Sequence, residues 1–390
     1  MDSVGDVMEI DITRSLEWNP AQAVATSGEW ELGSSSSHLM GYHDEGGQPL
    51  RPCQPDEAPG ELCWQARYVI LRQIGQGAQG VVYLGRRDGA DGFHVNVALK
   101  VFSRHPQWTD EEYGEEMRRV AEQALRISHI QHDNLLMIQN FVAERGGRVM
   151  VMEWIDGLDL SRLLCRTNWI QLRQRLTPQE WERLNDVVAT EGEDHCRLKP
   201  GIAVDVLRGC LAGLAALHNE NIVHCDLKPA NIMIKRSGTK KIVDVDSSCV
   251  LSEASRHVRG TPYYMAPERL RRGPVMLTSD VASLGYVLIE MLTGRRLFKQ
   301  CRTLQDLMTA KQELAGRLSV ELPPEVRRNA ILTGLVERMV ALEPARRFAD
   351  ADEVDLDRMG AANFHRHLVK TDLSTDYARE LAWWVSCLAS

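Results

Sequence analysis

The stretch His224-Cys225-Asp226-Leu227-Lys228-Pro229-Ala230-Asn231 is followed, thirteen residues past Asn231, by Asp244 in Ile242-Val243-Asp244-Val245-Asp246. How these two segments are read decides the fold, and that depends on what surrounds them. Upstream, Gly75-Gln76-Gly77-Ala78-Gln79-Gly80 is a GxGxxG pattern. A dinucleotide-binding turn would send such glycines into a helix and place an acid about twenty residues later for a ribose. Here they run into Val81-Val82-Tyr83-Leu84, a strand-like run, and the residue twenty positions past Gly80 is Lys100. The stretch therefore reads as a glycine-rich hairpin folding over phosphates, whose backbone N–H groups can approach the oxygens because no side chains intervene. Lys100 closes Val97-Ala98-Leu99-Lys100, an otherwise apolar strand. A buried ammonium is costly unless an anion receives it, so phosphate oxygens and a carboxylate are its expected partners. The bland alternative is a solvated edge lysine.

YVILRQIG, GVVYLG and HVNVALKVF are short β-branched runs separated by Gly and Asp turns, as in an antiparallel sheet. A helix is expected over about 109 to 128, then more strand-like sequence in LLMIQNFV and RVMVMEWI. Beyond Asp159 the pattern turns helical, with apolar residues three and four apart in AVDVLRGCLAGLAALH and SDVASLGYVLIEMLTG. Strands first and helices later predict an α+β arrangement in two lobes.

Composition excludes several classes. Of 390 residues 44% are hydrophobic, enough for a substantial core, and no uninterrupted apolar run approaches the eighteen or so residues of a membrane span. The start, MDSVGDVMEI, lacks the basic and apolar regions of a signal peptide. The nine cysteines (53, 63, 165, 196, 210, 225, 249, 301 and 387) are scattered and never form CxxC, which argues against a disulfide framework or a zinc ribbon and for reduced thiols in a cytoplasm. The net charge of −8 is unevenly placed: residues 1 to 66 carry −10 and the remaining 324 carry +2. Without a basic face, direct nucleic-acid binding is not expected. Residues 1 to 66, with GSSSS, GYHDEGGQP and PDEAPG, read as an acidic, disordered leader.

The ordered series GQGAQGVV, VALK, VMEW, HCDLKPAN, DVD, GTPYYMAPE and SDVASLG, over about residues 67 to 350, resembles a eukaryotic-type (Hanks-type) serine/threonine protein kinase, with a flavour closer to bacterial members. The resemblance implies a bilobal fold: a small, mainly antiparallel β N-lobe (67–152), a hinge (153–157) and a larger, mainly helical C-lobe (158–350). It implies ATP and Mg²⁺ as cofactors and Ser/Thr residues of proteins as acceptors. Asp226 would accept the proton of the substrate hydroxyl and Lys228 would steady the transferring phosphoryl group. Asn231 and Asp244 would hold the metal, a hard cation that takes oxygen ligands. Lys100 would clamp the α- and β-phosphates beneath Gly75, Gly77 and Gly80. Adenine would lie between Val82 and Ala98 on one side and Met233 on the other, with Met152 as gatekeeper and Glu153 and Ile155 as hinge contacts. Glu268 of Ala266-Pro267-Glu268 would pair with Arg347, and Asp280 would brace the catalytic loop. Lys228 and Thr261 resemble the serine/threonine branch, and GTPYYMAPE, the shelf for a protein substrate, sets the chain apart from small-molecule kinases.

The pattern also departs from the family. Cys225 stands where many relatives have an arginine that pairs with a phosphorylated activation loop, so activity is not expected to depend on phosphorylation of Ser252 or Ser255. Val245 and Asp246 replace the Phe and Gly of DFG. A gap-free count back from His132-Asp133-Asn134 puts Gln123 where the family has the glutamate partner of Lys100. A helix turned by one residue would offer Glu122 instead; otherwise Glu122 is a solvated surface acid. Gln123, Val245 and Asp246 motivate the alternative of a nucleotide-binding pseudokinase acting as a scaffold.

Residues 166 to 199 form an enlarged connection in which Trp169, Leu172, Leu176, Trp181 and Leu184 are expected to pack an extra helical element, while His195-Cys196 reads as surface loop rather than metal ligand. In a C-terminal extension, 351 to 390, Tyr377, Leu381, Trp384, Val385 and Leu388 share one helical face, expected to pack on the C-lobe. Self-association, or docking of the acidic leader with Ser34 to Ser37 onto the kinase body, completes the expected partners.

Overall fold

Alternation of β-branched residues demands a sheet with one face buried, and the first part of the chain builds it. The computed structural model describes residues 31–32, 67–77, 79–104, 107–144, 146–251, 260–370 and 375–389. Strands β1 (Glu31–Leu32), β2 (Arg67–Gly77), β3 (Gly80–Asp88), β4 (His94–Phe102), β5 (Ile138–Glu144) and β6 (Gly147–Glu153) form an antiparallel sheet in the order β1-β2-β3-β4-β6-β5. Tyr68, Val97, Leu99, Val149 and Val151 make the core on one face. The same alternation sends Val82, Ala98, Lys100, Met150 and Met152 to the other, level with one another through the pairings Val82↔Lys100↔Met150 and Ala98↔Met152. The reading of residues 1 to 66 as a disordered leader lies outside the described residues except at β1, which is an edge strand on β2.

The run Leu135 to Val142, read as one strand, is divided. Leu135 bridges to Ile242 and Leu136 donates its N–H to the Ile242 carbonyl at 3.0 Å, so β5 begins only at Ile138. Helix α1 (Asp110–Ser128) opens with Asp110, Glu111 and Glu112, acids favoured near the positive end of the helix dipole. Two compact units result. One holds the sheet, with the described residues up to Met117 and Ile138–Trp154; the other holds Arg118–Met137 and the described residues from Ile155 onward.

The second unit is mainly helical. Its helices are α2 (Leu160–Leu164), α3 (Arg166–Arg175), α4 (Pro178–Arg183), α5 (Pro200–Asn219), α6 (Pro267–Leu270), α7 (Leu277–Thr293), α8 (Leu304–Glu321), α9 (Pro324–Arg327), α10 (Ala330–Met339), α11 (Ala351–Leu356), α12 (Ala361–Lys370) and α13 (Tyr377–Ala389). Short strands β7 (Gly157–Asp159), β11 (Ile232–Lys235) and β12 (Lys240–Ile242) make one sheet. Two further two-stranded pairs are β8 (Ala189–Thr190) with β9 (Arg197–Leu198) and β10 (Ile222–Val223) with β13 (Cys249–Val250). Every residue of α7 from Ser279 to Thr293 is buried, which makes it the central helix and explains why it is apolar on nearly all sides. Helix α5 is long and apolar enough to cross a membrane by length and composition alone, but 67% of that apolar window is buried inside the protein. Its hydrophobicity is that of a core helix.

The enlarged connection folds as expected into extra helices. Trp169, Leu172 and Leu184 are buried, Trp169 and Trp181 meet at 4.8 Å between ring centroids, and Thr177 with Glu180 forms a capping box that starts α4. Against it lies α13, whose Leu381, Trp384 and Val385 are buried and whose Glu380 takes both Nη2 and Nε of Arg183, at 2.6 and 3.2 Å. Tyr377 stacks on His365 of α12 at 5.0 Å. The C-terminal face therefore packs on its own chain. Helices α11 and α12 pack on α5, so residues 351 to 370 belong to the helical core rather than to an appendage. Truncating Trp384 to Ala empties a fully buried indole site and is expected to cost about 3–5 kcal/mol, read as a fall in the denaturant midpoint at unchanged slope. A loss below about 1 kcal/mol would mean that α13 is not part of the cooperative fold.

Candidate active site

The loop between β10 and β11 converges on the Asp226 carboxylate. Its Oδ1 accepts the Thr261 N–H at 2.7 Å and the Thr261 hydroxyl at 2.8 Å. Its Oδ2 accepts Lys228 Nζ at 2.7 Å and Asn231 Nδ2 at 3.1 Å. Lys228 Nζ also donates to Thr261 Oγ1 at 2.9 Å, closing a triangle of carboxylate, ammonium and hydroxyl. Asn231 Nδ2 binds the Asp226 carbonyl as well, at 2.8 Å, and a 3-10 turn, Pro229–Asn231, sets its position. With the amide nitrogen engaged on Asp226, the oxygen of Asn231 is the atom left to face a cation.

Behind this loop stands Asp280, 1% exposed on α7. Its Oδ2 accepts the His224 N–H at 2.7 Å and its Oδ1 the Cys225 N–H at 2.9 Å. His218 adds a third contact at 3.2 Å through Nε2. Because His218 Nδ1 accepts the Ala351 N–H at 3.3 Å, its ring proton must sit on Nε2 and point at Asp280. The same logic applies to His224, whose Nδ1 accepts the Asp226 N–H at 3.3 Å and whose Nε2–H therefore donates to the Val243 carbonyl at 3.1 Å. His224 thus ties the Asp226 loop to the residue before Asp244, and the Val243 N–H to Asn231 carbonyl bond of 2.9 Å repeats the tie. The brace at Asp280 was expected; His218 was not singled out, and its only sequence signal is a polar residue ending an apolar helix.

Two non-glycine residues here adopt left-handed backbone, Cys225 at φ 67° and Asp244 at φ 63°. Such conformations cost free energy and persist where surrounding contacts over-determine them, often at functional sites. Gly260, at φ 112°, brings Thr261 close, since a Cβ there would lie 2.4 Å from the Cys225 carbonyl. The segment that follows is anchored by Arg347, which is 3% exposed and binds Glu268 through Nη1 and Nη2 at 2.8 Å each, the pairing expected from sequence. Val245 is buried, as its apolar role requires. Asp246 is buried too, and its carbonyl takes Arg119 Nη2 at 3.0 Å.

In the other unit, β2 and β3 close their hairpin at Gly77↔Gly80. Gly80 cannot be replaced, because a Cβ would come within 2.1 Å of the Val101 carbonyl. Lys100 is 7% exposed, so the solvated-edge alternative fails; its Nζ donates to Gln79 Oε1 at 3.3 Å. Val82, Ala98 and Met152 share its face of the sheet, and β6 ends at Glu153. Ile155 is buried and Met233 half-buried in the unit from Ile155 onward. One expectation is corrected. Helix α1 is not turned to bring Glu122 inward: Glu122 is exposed and Gln123 is the buried residue, its Oε1 without a hydrogen-bond partner among the described residues.

A second correction concerns His195-Cys196, which is buried rather than looped out on the surface. The Asp194 and His195 N–H groups both donate to the Gly294 carbonyl, and His195 Nε2 lies 3.3 Å from Glu290 Oε1. They are not an ion pair: burial pushes the imidazole down to about 4 and the Glu290 carboxyl up to about 7. The other oxygen of Glu290 accepts the Tyr264 hydroxyl, linking the connection to the segment that carries Thr261 and Glu268. No group of three or more His, Cys, Asp or Glu among the described residues is arranged to hold a metal ion.

A family model described as protein kinase domain matches residues 68–355. The chain is similar to serine/threonine-protein kinase PrkC of Bacillus subtilis, 29% identical over 75% of this chain and 40% of the relative. It is similar to the probable serine/threonine-protein kinase PknB of Lactococcus lactis, 26% identical over 75% and 41%, and to serine/threonine-protein kinase pkn2 of Myxococcus xanthus, 28% identical over 78% and 34%. The chain spans about two fifths or less of the length of these relatives.

The buried Glu290 and His195 should oppose each other in pH. Between the ordinary glutamate value of 4.5 and about 7, the folded chain keeps a proton on Glu290 that the unfolded chain has lost, so this group's contribution to stability falls as pH rises. Between about 4 and 6.5 the unfolded chain binds a proton that folded His195 refuses, so its contribution rises. Glu290→Gln retains an acceptor for Tyr264 and removes the falling part. Its melting temperature is expected to climb more steeply than the parent's from pH 4.5 to 6.5, and parallel curves would refute the assignment.

Proposed function

Because the chain belongs to the protein kinase family, we propose that it transfers the γ-phosphoryl group of ATP to serine or threonine hydroxyls of proteins, and to its own. The observation that carries this reading is the triangle of Asp226, Lys228 and Thr261. Asp226, whose Oδ2 is held by an ammonium and an amide, is the proposed acceptor of the proton of an attacking hydroxyl. The Lys228 ammonium adjoins it, where it stabilises negative charge on a phosphoryl group in transfer. Thr261 fixes the carboxylate from the substrate shelf, which couples seating of a peptide to orientation of the base.

Asn231 and Asp244 fit a divalent cation of the Mg²⁺ class, since an amide oxygen and a carboxylate are hard donors. When bound, the cation neutralises phosphate charge. Lys100, with the glycine hairpin, is proposed to meet the nucleotide phosphates, and its burial fits a lysine kept for an anion. The scaffold alternative gains no support, because Asp226, Lys228 and Asn231 keep a complete hydrogen-bonded arrangement despite Val245 and Asp246.

The full chain, incubated with labelled ATP, Mg²⁺ and a generic basic protein, is expected to place label on phosphoserine and phosphothreonine. Asp226→Asn should reduce the rate by about 10²–10⁴. Label on tyrosine, or an Asp226→Asn chain as fast as the parent, would overturn the proposal.

A further inference from the structure

The pairing of β10 with β13 sets Val223 opposite Cys249. Two residues past Val223, Cys225 turns through its left-handed backbone and brings its Sγ to 3.5 Å from Cys249 Sγ. Both thiols are half-buried. A disulfide needs about 2.05 Å between sulfurs, so a gap of about 1.5 Å has to close. A cavity of about 10 Å³ borders Cys225, lined also by Met265, Ala266, Arg269, Val275 and Asp280.

Cys225 directly precedes Asp226, and Cys249 lies five residues past Asp244. A bond between them would join the loop carrying the base to the strand leaving the metal-binding turn. We infer that Cys225 and Cys249 are a reversible disulfide site that, when closed by a hydroperoxide, slows phosphoryl transfer.

The chemistry balances. The hydrogen bond between the two thiols lowers the pKa of Cys249 and raises that of Cys225. The Cys249 thiolate attacks one oxygen of hydrogen peroxide; the O–O bond breaks, a sulfenic acid forms and hydroxide leaves. Cys225 sulfur then attacks the sulfenic sulfur, the S–O bond breaks, and the hydroxyl departs as water with the Cys225 proton. Two thiols have given two electrons to one peroxide. The product strains the catalytic loop, because the Cys225 N–H must stay on Asp280 while its Sγ moves toward β13.

The cross-link does not depend on the kinase reading, whereas its effect on transfer does. Treat the full chain with a small excess of hydrogen peroxide, block remaining thiols, and map peptides by mass spectrometry without reduction. A peptide pair joining Cys225 to Cys249, two hydrogens lighter than the separate peptides and released by dithiothreitol, is expected. Phosphoryl transfer by the oxidised chain should fall at least tenfold and return on reduction. Cys249→Ser, compared with its own reduced form, should lose both the cross-link and the reversible inhibition. If that variant melts early, Cys225→Ser provides the same comparison. Absence of the joined peptide while other thiols oxidise would overturn the site. A cross-linked chain that transfers phosphate as fast as the reduced one would overturn the regulation and leave the modification. A chain that forms the cross-link but transfers nothing when reduced would instead count against the proposed function.

Discussion

The arrangement of the site depends on one buried carboxylate. Taking Asp280 out of water costs several kcal/mol unless donors replace its hydration, and α7 places it where the His224 and Cys225 N–H groups and the His218 ring supply them. Those two backbone N–H groups would themselves be costly if left unmet. The satisfied set holds Cys225 in a conformation its side chain disfavours, and so fixes where Asp226 leaves the backbone. Through the His224 bond to Val243 the same helix positions Asp244. Both acidic groups of the site are therefore referred to the most buried helix of the unit rather than to each other.

Much of this was legible in sequence because its periodicity or spacing is local. Alternation in Val97 to Val101 dictates that Lys100 and Ala98 share a face, whatever the neighbouring strands do. Glu268 and Arg347 were paired by resemblance, and their bidentate bond bears that out. The helix α1 case shows where charge misleads. A gap-free count set Gln123 at the inward position, and the structure agrees with the count rather than with the attraction of a carboxylate next door. A side chain's angle on a helix is set by the apolar stripe it must bury, here Val120, Ala124 and Ile127, and Gln123 lies within that stripe.

What could not be read depends on elements far apart in the chain. His195-Cys196 looks like loop until Gly294, a hundred residues on, supplies the carbonyl that receives its backbone. His218 gains meaning only once Ala351 fixes its tautomer. The proximity of Cys225 and Cys249 arises from a two-residue strand pairing too short to leave any periodic trace. Each is a tertiary contact with no local pattern to announce it, and each lies in or beside the site.

Helix α13 changes what counts as one domain. The family match ends at residue 355, yet Trp384, Leu381 and the Arg183–Glu380 bond make the C-terminal helix one wall of the enlarged connection, and that connection reaches Tyr264 through His195 and Glu290. The insertion and the C-terminal segment complete each other's cores. Removing either segment would therefore put apolar side chains of the other, Trp384 among them, into water.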